Sequence, residues 1–266
     1  LVGEKIAIVT NKPQTTRKRI CAVVNREGCQ FVFLDTPGLH KARTRLGDYM
    51  VKVVKESVAD VDAVLLLVEP IPHIGGPEAE LIRRIKELNV PAVLVINKID
   101  TVEKEELLSV MQVYGAAHDF AAIVPISAKR NEGVDELLGL LAQFLPEGPQ
   151  LFPEDMVTDQ PERQVCAEII REKLLLCLDK EIPHGTAVEI TTFSERDDGI
   201  IDLDATIYCE KASHKGIIIG KGGAMLKKIS TLARTDIEAF MGTKVFLQTW
   251  VRDNMNLIKN FGYRDE

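Results

Sequence analysis

Up to Leu145, short apolar runs alternate with longer stretches whose apolar residues recur at helical spacing. Ile20–Arg26, Gln30–Asp35, Ala63–Glu69, Ala92–Asn97 and Ala121–Ile126 read as strands, and Pro77–Leu88, Val102–His118 and Val134–Phe144 as helices. This succession of βα units predicts a mostly parallel sheet, with one antiparallel edge made through the Glu27-Gly28 turn. From Pro146 to Pro161 the period is lost, and Pro146, Pro149, Pro153 and Pro161 stand among acidic and polar residues. Beyond them Val165, Ile169, Ile170, Leu174, Cys177 and Leu178 mark a helix. Two strands, Ala187–Phe193 and Ile201–Glu210, flank the acidic Arg196–Gly199 turn. A short helix near Gly216, a glycine cluster, a helix from Ala224 to Met241, the strand Val245–Val251 and a closing helix follow. The expected organisation is a first domain at 1–147, a linker at 148–161 and a second domain at 162–266.

Composition narrows the class without changing that outline. With 45% hydrophobic and 27% charged residues in 266, the chain is an ordinary globular sequence, neither disordered nor collagen-like. Its longest apolar stretches, Ala63–Val68 and Ala92–Ile96, fall far short of the ~20 residues of a membrane helix. The five cysteines include no Cys-x-x-Cys pair and sit mostly in apolar runs, which places the chain in a reducing cytoplasm. The histidines, His184 and His214 among them, show neither metal-ligand nor triad spacing. Net charge is −7, yet Lys211, Lys215, Lys221, Lys227, Lys228 and Arg234 lie in a stretch to Thr235 with no Asp or Glu, the one basic island.

Candidate chemistry sits where predicted strands end. Asp35-Thr36-Pro37-Gly38 follows Phe31–Leu34, and open α/β sheets bind ligands at the carboxyl ends of their strands. A carboxylate there holds a Mg²⁺-bound water, and Gly38 lets a backbone N–H approach a terminal phosphate. An Asp-x-Pro-Gly turn is the alternative. Asn97-Lys98-Ile99-Asp100 follows the apolar Val93–Ile96. The Asp100 carboxylate matches the N1–H and 2-amino group of guanine, whereas adenine presents an acceptor at N1 and has no 2-amino group. A carboxylate left desolvated opposite an acceptor is strongly disfavoured, so one Asp discriminates between the bases. Asn97 would brace the loop and reach N7, and the Lys98 stem would lie along the ring. A helix N-cap is the alternative. Ser127-Ala128-Lys129 follows Ile123–Ile126 and offers the Ala128 N–H to guanine O6, with Ser127 fixing the loop. Three such motifs at three strand exits, in the order phosphate, base, base, are hard to obtain by chance.

In the second domain Gly220-Lys221-Gly222-Gly223 lies between two predicted helices at the centre of the basic island. Its glycines admit a nucleic-acid backbone, Lys221, Lys227 and Lys228 attract phosphate, and Ile217–Ile219 would help form the groove for bases, which suits single-stranded RNA. A helix C-cap followed by an N-cap, or a solvated lysine face, is the alternative. Trp250 and Tyr263 are read as packing residues.

These residues resemble known families. The motifs at Asp35–Gly38, Asn97–Asp100 and Ser127–Lys129 are similar to the third, fourth and fifth signatures of translation-factor-type GTPases, and Gln14-Thr15-Thr16-Arg17 to the switch-one signature of the Era-like branch. The Gly-x-x-Gly loop and helix–strand–strand–helix–helix–strand order resemble a type II KH domain. Glu168–Lys173 and Glu181-Ile182-Pro183-His184 resemble the domain junction and first KH segment of the Era family. The resemblance implies an α/β P-loop NTPase-like GTPase domain followed by an α+β type II KH domain. It implies that the chain binds GTP and GDP with Mg²⁺ and hydrolyses GTP to GDP and phosphate. Thr16, with Thr15 beside it, would place a hydroxyl on Mg²⁺. Thr16 and Gly38 are then the catalytic candidates and Thr16 and Asp35 the metal candidates. The cofactor contacts would be Thr15, Thr16, Asp35, Thr36, Pro37, Gly38, Asn97, Lys98, Asp100, Ser127, Ala128 and Lys129. Leu39 stands where many GTPases carry a water-positioning Gln, which implies slow hydrolysis. For the KH domain the resemblance implies binding of the single-stranded 3′ end of 16S rRNA through Ile217, Ile218, Gly220, Lys221, Gly222, Gly223, Lys227 and Lys228. The implied role is in 16S rRNA processing and 30S subunit assembly, with GTP favouring RNA binding and hydrolysis releasing it. A cytoplasmic monomer is expected, with no DNA partner and with peripheral association at the inner face of the cell membrane implied by resemblance alone.

One signature does not occur: no Gly-x-x-x-x-Gly-Lys-Ser/Thr phosphate cradle stands in these residues. A strand, a cradle and the helix after it need roughly 25 residues, and Leu1–Lys5 resembles the end of that helix. The expectation is a longer protein whose first strand would lie between the strands at 30–35 and 63–69, and whose 266-residue portion is unstable and inactive as a GTPase. The alternative is a nucleotide-independent RNA-binding protein with a scaffold GTPase-like domain. GTP affinity of this chain and of one extended at its N-terminus separates the two, since only the enzyme reading predicts rescue. A tandem two-GTPase assembly protein is disfavoured by the single Asn-Lys-x-Asp motif.

Overall fold

The structure, a computed structural model, describes residues 2–3, 6–10, 15–16, 19–26, 28–36, 61–88, 90–179 and 182–253. Pro37, Gly38, Leu39, Tyr263 and the closing helix therefore lie outside the described residues. The chain divides into two compact units. One contains the described residues of 23–32 and 61–155, the other those of 2–22, 33–36 and 156–253.

Strands β1 (Ile20–Arg26) and β2 (Cys29–Asp35) pair as a two-stranded sheet. The first unit contains a parallel three-stranded sheet in the order β3 (Val64–Val68), β4 (Ala92–Ile96), β5 (Ala122–Pro125). Its register aligns Val64 with Ala92 and Ile96 with Pro125. The expected parallel sheet is present, but the strands expected to form its antiparallel edge are a sheet of their own. Helices α1 (Gly76–Leu88), α2 (Lys104–Ala117) and α3 (Val134–Leu141) connect and follow the strands. The unbroken apolar run of β4 follows from burial on both faces, as parallel strands require. On one side Leu66, Val68, Leu94 and Ile96 pack with Ile82 and Ile85 of α1 and Val110 and Tyr114 of α2. Helix α1 carries Glu78 in its first turn and Lys86 in its last, each complementing the helix dipole.

In the second unit α4 (Glu162–Cys177) is followed by β6 (Thr186–Glu195) and β7 (Ile201–Cys209), an antiparallel ladder with an irregularity between Ile190 and Thr192. Helices α5 (Ala212–Ile219) and α6 (Ala224–Met241) then form the crossover that parallel pairing of β7 with β8 (Val245–Asp253) demands. The core joins Ile170 and Leu174 of α4, Leu203 and Ile207 of β7, Ile218 of α5 and Ile229, Ala233 and Ile237 of α6. This is the expected helix–strand–strand–helix–helix–strand order.

Two sequence readings change. Ile218 was expected beside RNA bases, but it is fully buried in this core, because the α5 periodicity turns it inward and leaves Ile217 half exposed. Trp250 was expected to pack, yet it is 43% exposed on β8, as is Phe246 at 47% with the Arg196 guanidinium 5.2 Å over its ring. Strand alternation puts both on the same side of β8.

Candidate functional site

The loops after β3, β4 and β5 leave the sheet at its carboxyl edge, and backbone hydrogen bonds fix their starts. The Asn97 N–H donates to the Val68 carbonyl at 2.9 Å, the Ile126 N–H to Ile96 at 2.8 Å and the Ile99 N–H to Ile126 at 3.2 Å. Side chains complete the join. Asn97 Oδ1 accepts from the Lys98 N–H at 2.8 Å and from the Ala128 N–H at 3.0 Å, so one amide oxygen clamps both loops. Asn97 thus has the bracing position the sequence suggested. The Ala128 N–H, expected to face a base oxygen, instead donates to Asn97. Ser127, fully buried, donates its hydroxyl to Asp100 Oδ1 at 2.7 Å.

Asp100 lies on a 3₁₀ turn, Ile99–Thr101, entered through Lys98 in the left-handed region with φ +66°. The turn is held by the Thr101 hydroxyl donating to the Lys98 carbonyl at 2.7 Å. Lys98 does not lie free for a ring face: its ammonium pairs with Glu69 at the exit of β3. The Arg130 guanidinium stands 3.9 Å from Asp100 Oδ2. The Ser127 hydrogen bond, aided by the positive charges of Arg130 and Lys129, holds the Asp100 carboxyl below the usual range despite partial desolvation. Lys129 itself is exposed. Protonation would remove the acceptor that guanine needs, so guanine-nucleotide affinity is expected to stay level with falling pH until below the ordinary Asp value near 4. Ser127→Ala removes the largest depressing influence and should move that acid limb to higher pH, as read by nucleotide titration at a series of pH values. An unmoved limb would show that Ser127 does not set the charge of Asp100.

Sequence reasoning missed Glu69, Arg130 and Gly133. The first two carry no motif signal, and pairing across loops is non-local. Gly133 had one, a glycine directly before a helix. It caps α3 with φ +73°, and a Cβ there would meet the Pro125 carbonyl oxygen at 2.7 Å. The Ser127–Glu132 bridge just before it, with N–H···O distances of 3.0 and 3.1 Å, closes the loop that carries Ala128 and Lys129. Gly133→Ala is expected to lower unfolding stability by about 2 kcal/mol, through left-handed strain and backbone crowding, and a denaturant melt checks it.

The phosphate-side candidates are described only in part. Thr16 donates its hydroxyl to Asp35 Oδ2 at 3.3 Å, and Thr15 stands beside it with its own hydroxyl 2.6 Å from that of Thr10. Surrounding protein atoms push the Asp35 carboxyl upward, opposed by hydrogen bonds from Thr16 and the Thr36 backbone. One hydroxyl and one carboxylate are hard oxygen donors of the kind Mg²⁺ takes, with phosphates and waters completing its shell. No cluster of three His, Cys, Asp or Glu occurs among the described residues.

The glycine loop joins α5 to α6 through the 3₁₀ turn Lys221–Gly223. Gly220 has φ +73° and ψ +175°, and a Cβ there would lie 2.7 Å from that of Met225, so the loop folds tightly against the start of α6. Gly223 caps α6 without a side-chain hydrogen bond, and its first turn contains no acid. A helix start without acid, with Lys221, Lys227 and Lys228 exposed near it, forms a place for a phosphate.

Comparison with known proteins gives the family. A family model described as a KH domain matches residues 181–255, and one described as a 50S ribosome-binding GTPase matches residues 1–98. GTPase Era of Ruminiclostridium cellulolyticum is 50% identical over 270 residues, covering 99% of this chain and 91% of that protein. The chain belongs to the Era GTPase family. Era of Clostridium kluyveri is 48% identical with 99% and 92% coverage. A crystal structure of Era in complex with MgGDPNP and nucleotides 1506–1542 of 16S ribosomal RNA superposes with TM-score 0.92 at 35% identity, covering 98% of this chain and 91% of that one. Aquifex aeolicus Era bound to GDP·AlF4− gives the same score and coverage.

Proposed function

We propose that this Era-family chain is a GTP-binding and GTP-hydrolysing switch protein. It binds the 3′ end of 16S rRNA through its KH domain and acts in 16S rRNA processing and 30S subunit assembly. The observation that carries the nucleotide half is the Asp100 carboxylate, pinned by buried Ser127 in a loop clamped through Asn97. The RNA half rests on the lysine-flanked glycine loop at an acid-free helix start, and the related Era structure holds both MgGDPNP and 16S nucleotides.

In this reading Asp100 accepts from N1–H and the 2-amino group of guanine while Ser127 keeps the carboxylate charged and oriented. Thr16 and Asp35 would hold Mg²⁺, which when bound neutralises phosphate charge. Thr15, Thr36, Pro37 and Gly38 line the phosphate side, and Lys98, Ala128 and Lys129 the base side. Lys221, Gly222, Gly223, Lys227 and Lys228, with Gly220 and Ile217, face RNA. A first domain at 1–147, a linker at 148–161 and a KH domain at 162–266 divide these tasks. No helix among the described residues is long and apolar enough to cross a membrane. We place the protein in the cytoplasm as a monomer without a DNA partner, with membrane contact at most peripheral.

Competition of GDP, GTP and ADP for this chain and for one extended at its N-terminus, followed by phosphate release with and without RNA of the sequence 1506–1542, tests the reading. Guanine-selective binding and release of phosphate by the extended chain are expected. RNA binding that is retained while guanine and adenine nucleotides bind equally or not at all would favour the nucleotide-independent scaffold instead.

A further inference from the structure

Strand β6 lies at the outer edge of its sheet, with β7 as its one neighbour. Every second residue of such a strand turns its N–H and C=O away from the ladder, where they need a partner outside the sheet. Along Ala187–Ile190 no hydrogen bond from the described residues reaches this side of the backbone, although Ala187, Val188 and Ile190 are buried. Buried backbone groups left without partners are costly, so such a stretch is poised to accept one. It is short, because the ladder slips between Ile190 and Thr192. Four residues at a strand's rise make a slot about 13 Å long.

Beside this edge lies a cavity of about 370 Å³, lined by Ala187–Ile190 and by the first turns of α4. All the residues that line it belong to the second unit, and Pro161 and Arg163 at its rim are exposed. Two side chains of the lining carry buried donors without a hydrogen-bond partner, Arg171 Nη1 and Gln160 Nε2. Arg171 is the first of three consecutive charged residues buried on α4, Arg171, Glu172 and Lys173, and is 3% exposed. Its other nitrogens are engaged: Nε donates to Glu168 Oε1 at 3.0 Å, and Nη2 donates to Glu168 Oε2 at 2.6 Å and to the Thr15 carbonyl. The carboxylates of the lining are engaged as well, Glu168 by Arg171 and Glu189 Oε2 by the Tyr208 hydroxyl at 2.8 Å. What the side chains of the cavity have to spare is therefore donors, and one of these is charged.

We propose that this cavity takes the carboxyl end of an extended partner peptide, added to the edge of β6 as a further strand. Two kinds of unmet hydrogen bond select that occupant. A strand edge asks for donors and acceptors in alternation, which a peptide backbone supplies and a small anion does not. The side-chain pair asks for acceptors alone, and the oxygens of a carboxylate are acceptors only. With its terminal carboxylate on Arg171 Nη1 and Gln160 Nε2, the peptide lays its preceding residues along Ala187–Ile190. Arg163 adds a second positive charge at the entrance. Pro161, Ala167 and Val188 make the remaining walls apolar, which favours small or β-branched apolar side chains in about the last three positions. The partner so recognised is a protein whose C-terminus is free, extended and apolar.

The test screens the full chain against a mixed library of pentapeptides with three apolar residues at the end, prepared once as free acids and once as C-terminal amides. Free acids are expected to be retained, and the best of them, labelled with fluorescein at its N-terminus, should lose about tenfold or more in affinity on amidation, the span of a charge-assisted hydrogen bond. The bound peptide should slow amide hydrogen exchange at alternate positions of Ala187–Ile190, which strand addition does and adhesion elsewhere on the surface does not. Gln160→Leu should weaken the free acid about fivefold and the amide less, and Arg171→Met should weaken the free acid further. Gln160→Leu keeps the test decisive if Arg171→Met does not fold, since it leaves the Arg171–Glu168 pair intact. Retention of no free acid, equal binding of acid and amide, unchanged exchange at Ala187–Ile190, or undiminished binding by a folded Gln160→Leu protein overturns the proposal.

Discussion

Asp100→Asn is expected to weaken GDP binding by about 10⁴-fold and to transfer preference to xanthosine diphosphate, the largest change any single substitution here should produce. Guanine offers two donors to the carboxylate. Asparagine presents an oxygen and an amino group, so one of its atoms faces a like group whichever way the amide turns. Xanthine replaces the 2-amino group with a carbonyl, which the new amino group matches. The surroundings favour a clean exchange, because the Ser127 hydroxyl that reaches Asp100 Oδ1 at 2.7 Å can still donate to an amide oxygen. The Asn97 clamp on Lys98 and Ala128 is not involved. Competition between GDP and xanthosine diphosphate on wild type and variant measures the effect. A variant with undiminished preference for GDP would remove Asp100 from base recognition.

The second large effect concerns RNA. Replacing Lys221 and Gly222 together with Asp should reduce affinity for single-stranded RNA at least about 100-fold and flatten its salt dependence, since a phosphate-attracting charge is lost and two repelling ones are added. Folding should survive. Gly222 has φ +59° with nothing within 4 Å of an added Cβ, and aspartate is among the residues that tolerate this region. Helix α6 is anchored through Ile229, Ala233 and Ile237, away from the loop. Fluorescence anisotropy with a labelled oligonucleotide, beside a thermal melt, distinguishes lost binding from lost structure. Unchanged affinity in the folded variant would move the RNA site elsewhere.

How much of this was legible in the sequence depended on whether the cause was local. The parallel pairing of β3, β4 and β5 and the placing of Asn97, Asp100 and Ser127 at strand exits follow from apolar runs with polar residues directly after them, a signal confined to neighbours in the chain. The Ser127–Asp100 bond was within reach for the same reason, since adjacent strand ends bring their loops together. Helical spacing likewise located α4 through Val165, Ile169, Ile170 and Leu174. It gave no sign that Arg171, Glu172 and Lys173 are buried, because what covers Glu172 stands 163 positions earlier. Ile218 and Trp250 failed for a related reason. A short apolar run does not say which member turns inward, and an aromatic near the end of an apolar strand looks the same whether its face is covered or open. The Lys98–Glu69 pair was invisible because either residue alone reads as an ordinary surface charge.

The parallel pairing of β7 with β8 has a consequence for the newborn protein. The glycine loop lies inside the crossover that joins these strands, so the sheet beneath its two helices is completed only after the residues through Asp253 have been made. Synthesis at about 5–20 residues per second leaves the loop waiting for seconds after its own residues are in place. Over that interval a nascent chain has the lysines of the loop on a sheet that still lacks its last strand.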